Sequence, residues 1–175
     1  LIPCFSFATA QLGWEANFNE ELFQKKYPAD YIRTINIGNK LGAESIILPG
    51  AFRTTTSQEA WRKEKHMLKL TRSMLAMILP HDLTARLRWR SPDKELDRNL
   101  YFKVQKILAD FGVAKEGTKF LPYWSNRNLF REVPLEAMVS VWKRPEGILL
   151  VIGNRTGREI RLDLIPNTEK LGIKP

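Results

Sequence analysis

The sequence is poor in the residues on which much protein chemistry depends. One cysteine, Cys4, in 175 residues excludes an internal disulfide and any cysteine-rich zinc site. The two histidines, His66 and His81, fall at no metal-ligand spacing with Cys4, so no metal is expected. Neither G-x-x-x-x-G-K-[ST] nor G-x-G-x-x-G occurs, which leaves nucleotide cofactors unsupported, and no cofactor is expected. No apolar run approaches the roughly 20 residues needed to cross a bilayer, so no membrane partner is expected. Leu1-Ile-Pro3 lacks the basic start of a secretory signal. The glycine-flanked aromatics of an RNA-binding sheet and C2H2 zinc-finger spacing are also missing.

Acidic residues are in deficit. Nineteen Asp and Glu face 28 Lys and Arg, for a formal net charge of +9 and a pI near 9.8. Residues 53–106 hold about +7 of that excess. Within them Arg62, Lys65, Lys69 and Arg72 recur at helical spacing as one basic stripe. Such a stripe is either a solvated helix face or the footprint of a polyanion. The solvated face is favoured, so nucleic acid enters as an alternative partner only.

Apolar residues make up 43% of the chain, enough for a genuine core. The length suits one ordinary domain or one and a half small ones. Residues 1–9 read as a short buried strand, rich in aromatics. A polar stretch with Gly13 and Asn17 follows. Asn19 to Leu41 reads as helix in two pieces, with Pro28 in a first turn and Gly42 just past the end. Ser45–Leu48 is a continuous apolar strand stopped by Pro49-Gly50. Thr56 and Glu59 then make a capping-box signature for a helix running to Leu79. Its apolar side carries Trp61, Leu68, Met74, Leu75 and Ile78, and Pro80 ends it. Leu83, Ala85, Leu87 and Trp89 alternate with polar residues at the period of a strand. Ser91-Pro92-Asp93 opens a last helix. Leu100, Val104, Ile107, Leu108 and Phe111 form its apolar side, and Gly112 closes it.

Three strand–helix units in succession predict parallel pairing through crossovers. Three units cannot close a barrel, which takes eight, so residues 1–112 are expected to be either a small open sheet or a partial (β/α) barrel. From residue 113 the pattern changes. Lys119-Phe-Leu-Pro-Tyr-Trp124 reads as a strand. Ala137–Lys143 and Ile148–Gly153, joined by Pro145-Glu146-Gly147, read as a hairpin. Arg158 to Leu164 alternates cleanly, as a strand with one wet face would. Residues 113–175 are thus expected to form an antiparallel β module, with too few strands for a full sandwich. No internal repeat appears.

Several segments carry a resemblance. Lys40-Leu-Gly-Ala43, Ser73-Met-Leu-Ala-Met-Ile-Leu-Pro-His-Asp82, Phe120-Leu-Pro-Tyr-Trp124 and the run from Val139 to Asn154 resemble the C-terminal part of glycoside hydrolases similar to family 123, the β-N-acetylgalactosaminidase-type enzymes and their glycosidase-like relatives. The similarity spans most of the chain as a pattern of aromatic, glycine and strand signals, without a sharp catalytic motif. It implies a TIM-type barrel followed by a β-sandwich, a carbohydrate substrate, and a secreted or periplasmic location. It also implies cleavage assisted by the substrate's own acetamido group, in place of the carboxylate nucleophile of ordinary retaining enzymes. That route uses a neighbouring Asp-Glu pair, one residue orienting the acetamide and the other acting as general acid. The sequence contains no adjacent Asp-Glu. The pair is expected upstream, in the remainder of a larger polypeptide or another subunit, and the catalytic residues are unknown.

In a β/α barrel the chemistry sits at the C-terminal ends of the strands. On this reading those ends are Ala10–Trp14, Gly50–Thr54 and Trp89–Asp93. Trp14 and Trp89 offer flat apolar faces to a sugar ring, against the plain alternative of packing under a loop. Gln11, Arg53 and Arg90 offer hydrogen bonds to hydroxyls or an acetamide, against surface solvation or ion pairing. His81-Asp82 has no nucleophile to serve and reads as structural.

Three functions compete. The first is a C-terminal fragment of a glycoside hydrolase, supplying scaffold and subsite contacts. The second is a non-catalytic basic module for nucleic acid or acidic polysaccharide, which would bind with a steep salt dependence. The third is an interaction domain whose open sheet edge docks on another subunit.

Overall fold

The computed structural model describes residues 10–18, 30, 32–33, 44–51, 64–85, 98–154, 156 and 158–172. The chain is mixed α/β and divides into two units. The first comprises Leu1–Met74 and His81–Asp97, the second Leu75–Pro80 and Arg98–Pro175.

In the first unit, strands β1 (Ala10–Phe18), β2 (Glu44–Ala51) and β3 (Thr84–Ala85) form a sheet in the order β1-β2-β3. Both pairs are parallel. Two strand assignments from the sequence change. Residues 10–18, expected to be the polar stretch after a strand, are themselves strand. The signal was present: Ala10, Leu12, Trp14, Ala16 and Phe18 alternate with Gln11, Gly13, Glu15 and Asn17. The register slips by one residue between Leu12 and Glu15. This is a bulge beside Gly13, where a glycine commonly marks such a break. The second change is that Pro49-Gly50 does not stop β2. Ala16 pairs with Pro49 and Asn17 with Gly50, while the described residues of β3 pair with Ile46 and Ile47. The expected strand over residues 1–9 lies outside the described residues.

Between β2 and β3 comes helix α1 (Glu64–Ile78). Thr71, Met74, Leu75, Met77 and Ile78 are buried and Arg72 is exposed, the one-sided pattern of an amphipathic helix. Pro80 does not end the chain's helical run abruptly. The backbone tightens into a 3-10 turn, Leu79–His81, and then reverses at Asp82 with φ of 56°. His81 is buried.

The second unit begins its main stretch with helix α2 (Arg98–Phe111). Gly112, at φ of 85°, ends it as the sequence predicts. Its N–H donates to Leu108 O and Ala109 O, and the N–H of Val113 donates to Leu108 O at 3.2 Å, the bond pattern of a Schellman cap. Tyr101 is the buried residue of α2, flanked by half-buried Val104 and Leu108. Ile107, expected on that side, is 54% exposed. At about 100° per residue it falls roughly a third of a turn from the line through Tyr101 and Leu108.

Strands β4 (Lys119–Leu121), β6 (Ala137–Arg144) and β7 (Gly147–Asn154) form an antiparallel sheet in the order β4-β6-β7. The β6–β7 hairpin turns on Pro145 and Glu146, as the sequence predicts, with Arg144 opposite Gly147. The module is not a simple meander. Strand β5 (Phe130–Arg131), preceded by a 3-10 turn at Arg127–Leu129, leaves this sheet and pairs antiparallel with β8 (Ile165–Pro166). Arg158–Leu164 joins no ladder. Its alternation is nonetheless real in packing terms, because Ile160, Leu162 and Leu164 lie half-buried against the core while Arg161 and Asp163 face water and pair at 3.0 Å. Helix α3 (Thr168–Leu171) follows. It is capped by Asn167, whose side chain accepts from the Lys170 N–H, and by left-handed Gly172.

Strand β6 explains where the core lies. It has a hydrogen-bonded neighbour on each side, and Ala137 to Trp142 are buried without alternation. One face presents Ala137, Val139 and Val141 to Leu129, Phe130 and Leu171. Each of these valine, leucine and phenylalanine side chains stabilises the fold by about 1.5–3 kcal/mol on full burial. The other face presents Met138, Ser140 and Trp142. Ser140, fully buried, donates from Oγ to Pro80 O at 2.8 Å and accepts from the Tyr123 N–H at 3.0 Å. Trp142 packs on its register partner Phe120, with ring centroids 4.8 Å apart.

Candidate functional site

Several polar groups of the second unit line a cleft beside the end of the β4–β6 ladder. The face of that ladder that carries Val139, Val141 and Leu121 continues outward to Lys143 and Lys119. The two lysines are register partners and therefore point to the same side of the sheet. Here the core gives way to a cleft of about 610 Å³.

Lys119, Lys143, Arg144 and Lys170 line the cleft, together with Asn126 and Asn128, and no carboxylate is among its described lining residues. Leu121 and Leu129 add apolar surface. The cations come from three elements, β4, β6 and α3, so the fold rather than local sequence brings them together. Gly172 helps to seat Lys143: a Cβ built on Gly172 would stand 3.2 Å from Lys143 Nζ.

Arg144 is already committed. Nη1 donates to Phe111 O, the guanidinium lies 5.7 Å from the centroid of the Phe111 ring, and Nη2 pairs with Glu146 at 3.1 Å. It acts as a brace at the C-terminus of α2, where a cation meets the negative end of the helix dipole. Among the described residues Lys119, Lys143 and Lys170 have no carboxylate partner. Asn126, 5% exposed, donates from Nδ2 to Leu121 O at 2.7 Å and to Val139 O at 2.9 Å. Both donor positions of its amide are thereby used, and Oδ1 is left as an acceptor.

Of the residues expected from the sequence to bind substrate, Gln11 and Trp14 are among the described ones. Gln11 lies near the start of β1 and Trp14 at its middle, not at its C-terminal end. Gln11 pairs with Ser45, and Trp14 sits in the bulge. Arg53, Trp89 and Arg90 lie outside the described residues, as does Arg62 of the basic stripe. In the parallel register the C-terminal end of this sheet is marked by Asn17 opposite Gly50 and Phe18 opposite Ala51. Among the described residues no group of three or more His, Cys, Asp or Glu is placed to hold a metal ion. No helix among them is long and apolar enough to cross a membrane.

The lysines of the cleft were missed because nothing in the linear sequence aligns Lys119 with Lys143. A usable signal did exist: each is the charged end of an apolar-aromatic strand, Lys119-Phe-Leu121 and Val141-Trp-Lys143. No protein-family model, curated protein or solved structure matches the chain.

Proposed function

We propose that the chain is part of a carbohydrate-active glycoside hydrolase, contributing scaffold and substrate-subsite contacts. The acid/base carboxylates would be carried by polypeptide that precedes it. The observation that supports this reading is the order of the first three strands. β1, β2 and β3 are neighbours in sequence order and parallel, with α1 as the connection from β2 to β3. An antiparallel β sheet follows them. Successive staves of a β/α barrel pair in this way. On this reading the first 112 residues are a segment of a partial barrel and the rest is the start of a sandwich-like module.

With the bulge in β1 and the continuation of β2 through Gly50, the sugar-binding rim on this reading lies further along the strands. Asn17, Gly50 and Ala51 stand at the C-terminal end of the sheet, and Arg53 follows Ala51 by two positions in the chain. A sugar at this rim meets these residues before it meets Gln11 or Trp14. Arg53 then supplies a donor to a hydroxyl or acetamide oxygen. The substrate class is an N-acetylhexosaminide, whose own acetamido oxygen attacks the anomeric carbon. An upstream Asp-Glu pair orients that acetamide and protonates the leaving oxygen.

The test is hydrolysis of 4-nitrophenyl N-acetyl-β-D-galactosaminide. The chain alone is expected to be inert. A polypeptide extended on its amino-terminal side, bearing a neighbouring Asp-Glu pair, is expected to be active and to lose about 10²–10⁴-fold in kcat when the general acid is removed. An extended polypeptide with no such pair, or one whose activity ignores its removal, overturns the reading.

A further inference from the structure

The cleft beside the β4–β6 ladder has a feature that packing alone does not explain. Lys119 and Lys143 face each other directly across antiparallel strands, where like charges repel. No carboxylate among the described residues relieves them. Glu146, in the adjoining hairpin turn, is held instead by Arg144 at 3.1 Å. Lys170 brings a third cation to the same cleft from α3. Asn126 lines it as well, 95% buried at 5% exposure. With Nδ2 spent on Leu121 O and Val139 O, its amide oxygen is left as an acceptor for a ligand hydroxyl. Cations that converge without a counter-charge, beside a buried acceptor, describe a site for an anion that also carries hydroxyl groups.

We propose that this cleft binds an acidic polysaccharide, with a sulfate or uronate carboxylate held between Lys119, Lys143 and Lys170 and a neighbouring sugar hydroxyl donating to Asn126 Oδ1. The attraction for an anion stands on the cleft itself, whereas the choice of a sugar to carry it rests on the glycoside-hydrolase reading. Single-stranded nucleic acid is the less suitable occupant, because its binding sites stack bases on aromatic side chains and no aromatic residue is among the described lining residues.

The experiment is calorimetric titration of the intact chain with heparin, with polygalacturonate, with neutral dextran and with a single-stranded oligonucleotide, at about 50 and about 200 mM salt. Heparin or polygalacturonate is expected to bind, more weakly at the higher salt, and dextran is expected not to bind. The double variant Lys119→Ala/Lys143→Ala is expected to weaken binding about tenfold or more. Lys103→Ala/Arg158→Ala removes equal charge from exposed positions elsewhere and is expected to change it by less than about twofold. The thermal midpoint of the cleft variant, expected to be no lower than that of the parent, shows that it folds. Equal losses in the two double variants, or no binding of either acidic polymer, overturn the proposal. So does an oligonucleotide that binds as tightly and with the same dependence on Lys119 and Lys143. An extended polypeptide that hydrolyses nothing while the cleft still binds acidic polysaccharide overturns the hydrolase reading and leaves this one standing.

Discussion

Asn126 and the Lys119–Lys143 pair lie in the same cleft and contribute to stability with opposite signs. The amide of Asn126 ties the end of β4 to β6 through Leu121 O and Val139 O. Removing it strands two carbonyls in a buried setting, and each such loss costs about 1–3 kcal/mol. Asn126→Leu is therefore expected to lower the unfolding free energy by about 2–4 kcal/mol, read as a drop in the urea midpoint with little change in slope. A change below 0.5 kcal/mol would mean that the two carbonyls find other donors, by roughly the resolution of such measurements. The lysine pair works the other way. Like charges directly opposed across strands destabilise by about 0.2–1 kcal/mol, a modest cost that the fold carries at this one end of the ladder.

At the scale of elements, β7 depends on close approach at one end and on none at the other. A Cβ on Gly153 would stand 2.8 Å from Ala76 O and 2.9 Å from Pro80 Cγ. The clash is with backbone and a rigid ring, so neither neighbour can yield cheaply. Gly147, at the start of the strand, has nothing within 4 Å of such a Cβ and does not take a positive φ. Gly153→Val is expected to destabilise by about 1–3 kcal/mol. Gly147→Ala is expected to be neutral or to stabilise by up to about 1 kcal/mol, through the lower entropy of its unfolded chain. Thermal melts of the two variants check the contrast, and equal shifts would contradict the close packing at Gly153.

At the scale of the molecule, stability within the second unit is expected to be unevenly distributed. Val139 to Trp142 are buried, and their strand has a hydrogen-bonded neighbour on both sides, whereas Arg158–Leu164 joins no ladder and is half-buried at best. Local opening follows this difference. Amide exchange is expected to be slowest in Val139–Trp142 and fast, by several orders of magnitude, in Arg158–Leu164. Matching rates in the two segments would mean that the extended segment is hydrogen-bonded more fully than its backbone suggests.

The linear sequence was enough for features set by neighbouring residues. Gly112 ends α2 because a left-handed residue costs glycine little, and Pro145-Glu146 makes the hairpin because proline presets the turn. The one-sided burial of α1 follows from helical period alone. The period-two pattern of residues 10–18 was legible too, but Gly13 and Asn17 obscured it. Other features depend on which strands become neighbours. β5 stays outside the β4-β6-β7 sheet and pairs with β8. Arg158–Leu164 alternates without a partner, because side-chain period records which face is buried and not which backbone stands alongside. The basic cleft belongs wholly to this second kind. Lys119, Lys143 and Lys170 are far apart in the chain, and their meeting is decided by antiparallel register and by the return of α3 to the core through Leu171, since charge is a property of residues while its convergence is a property of the packed backbone.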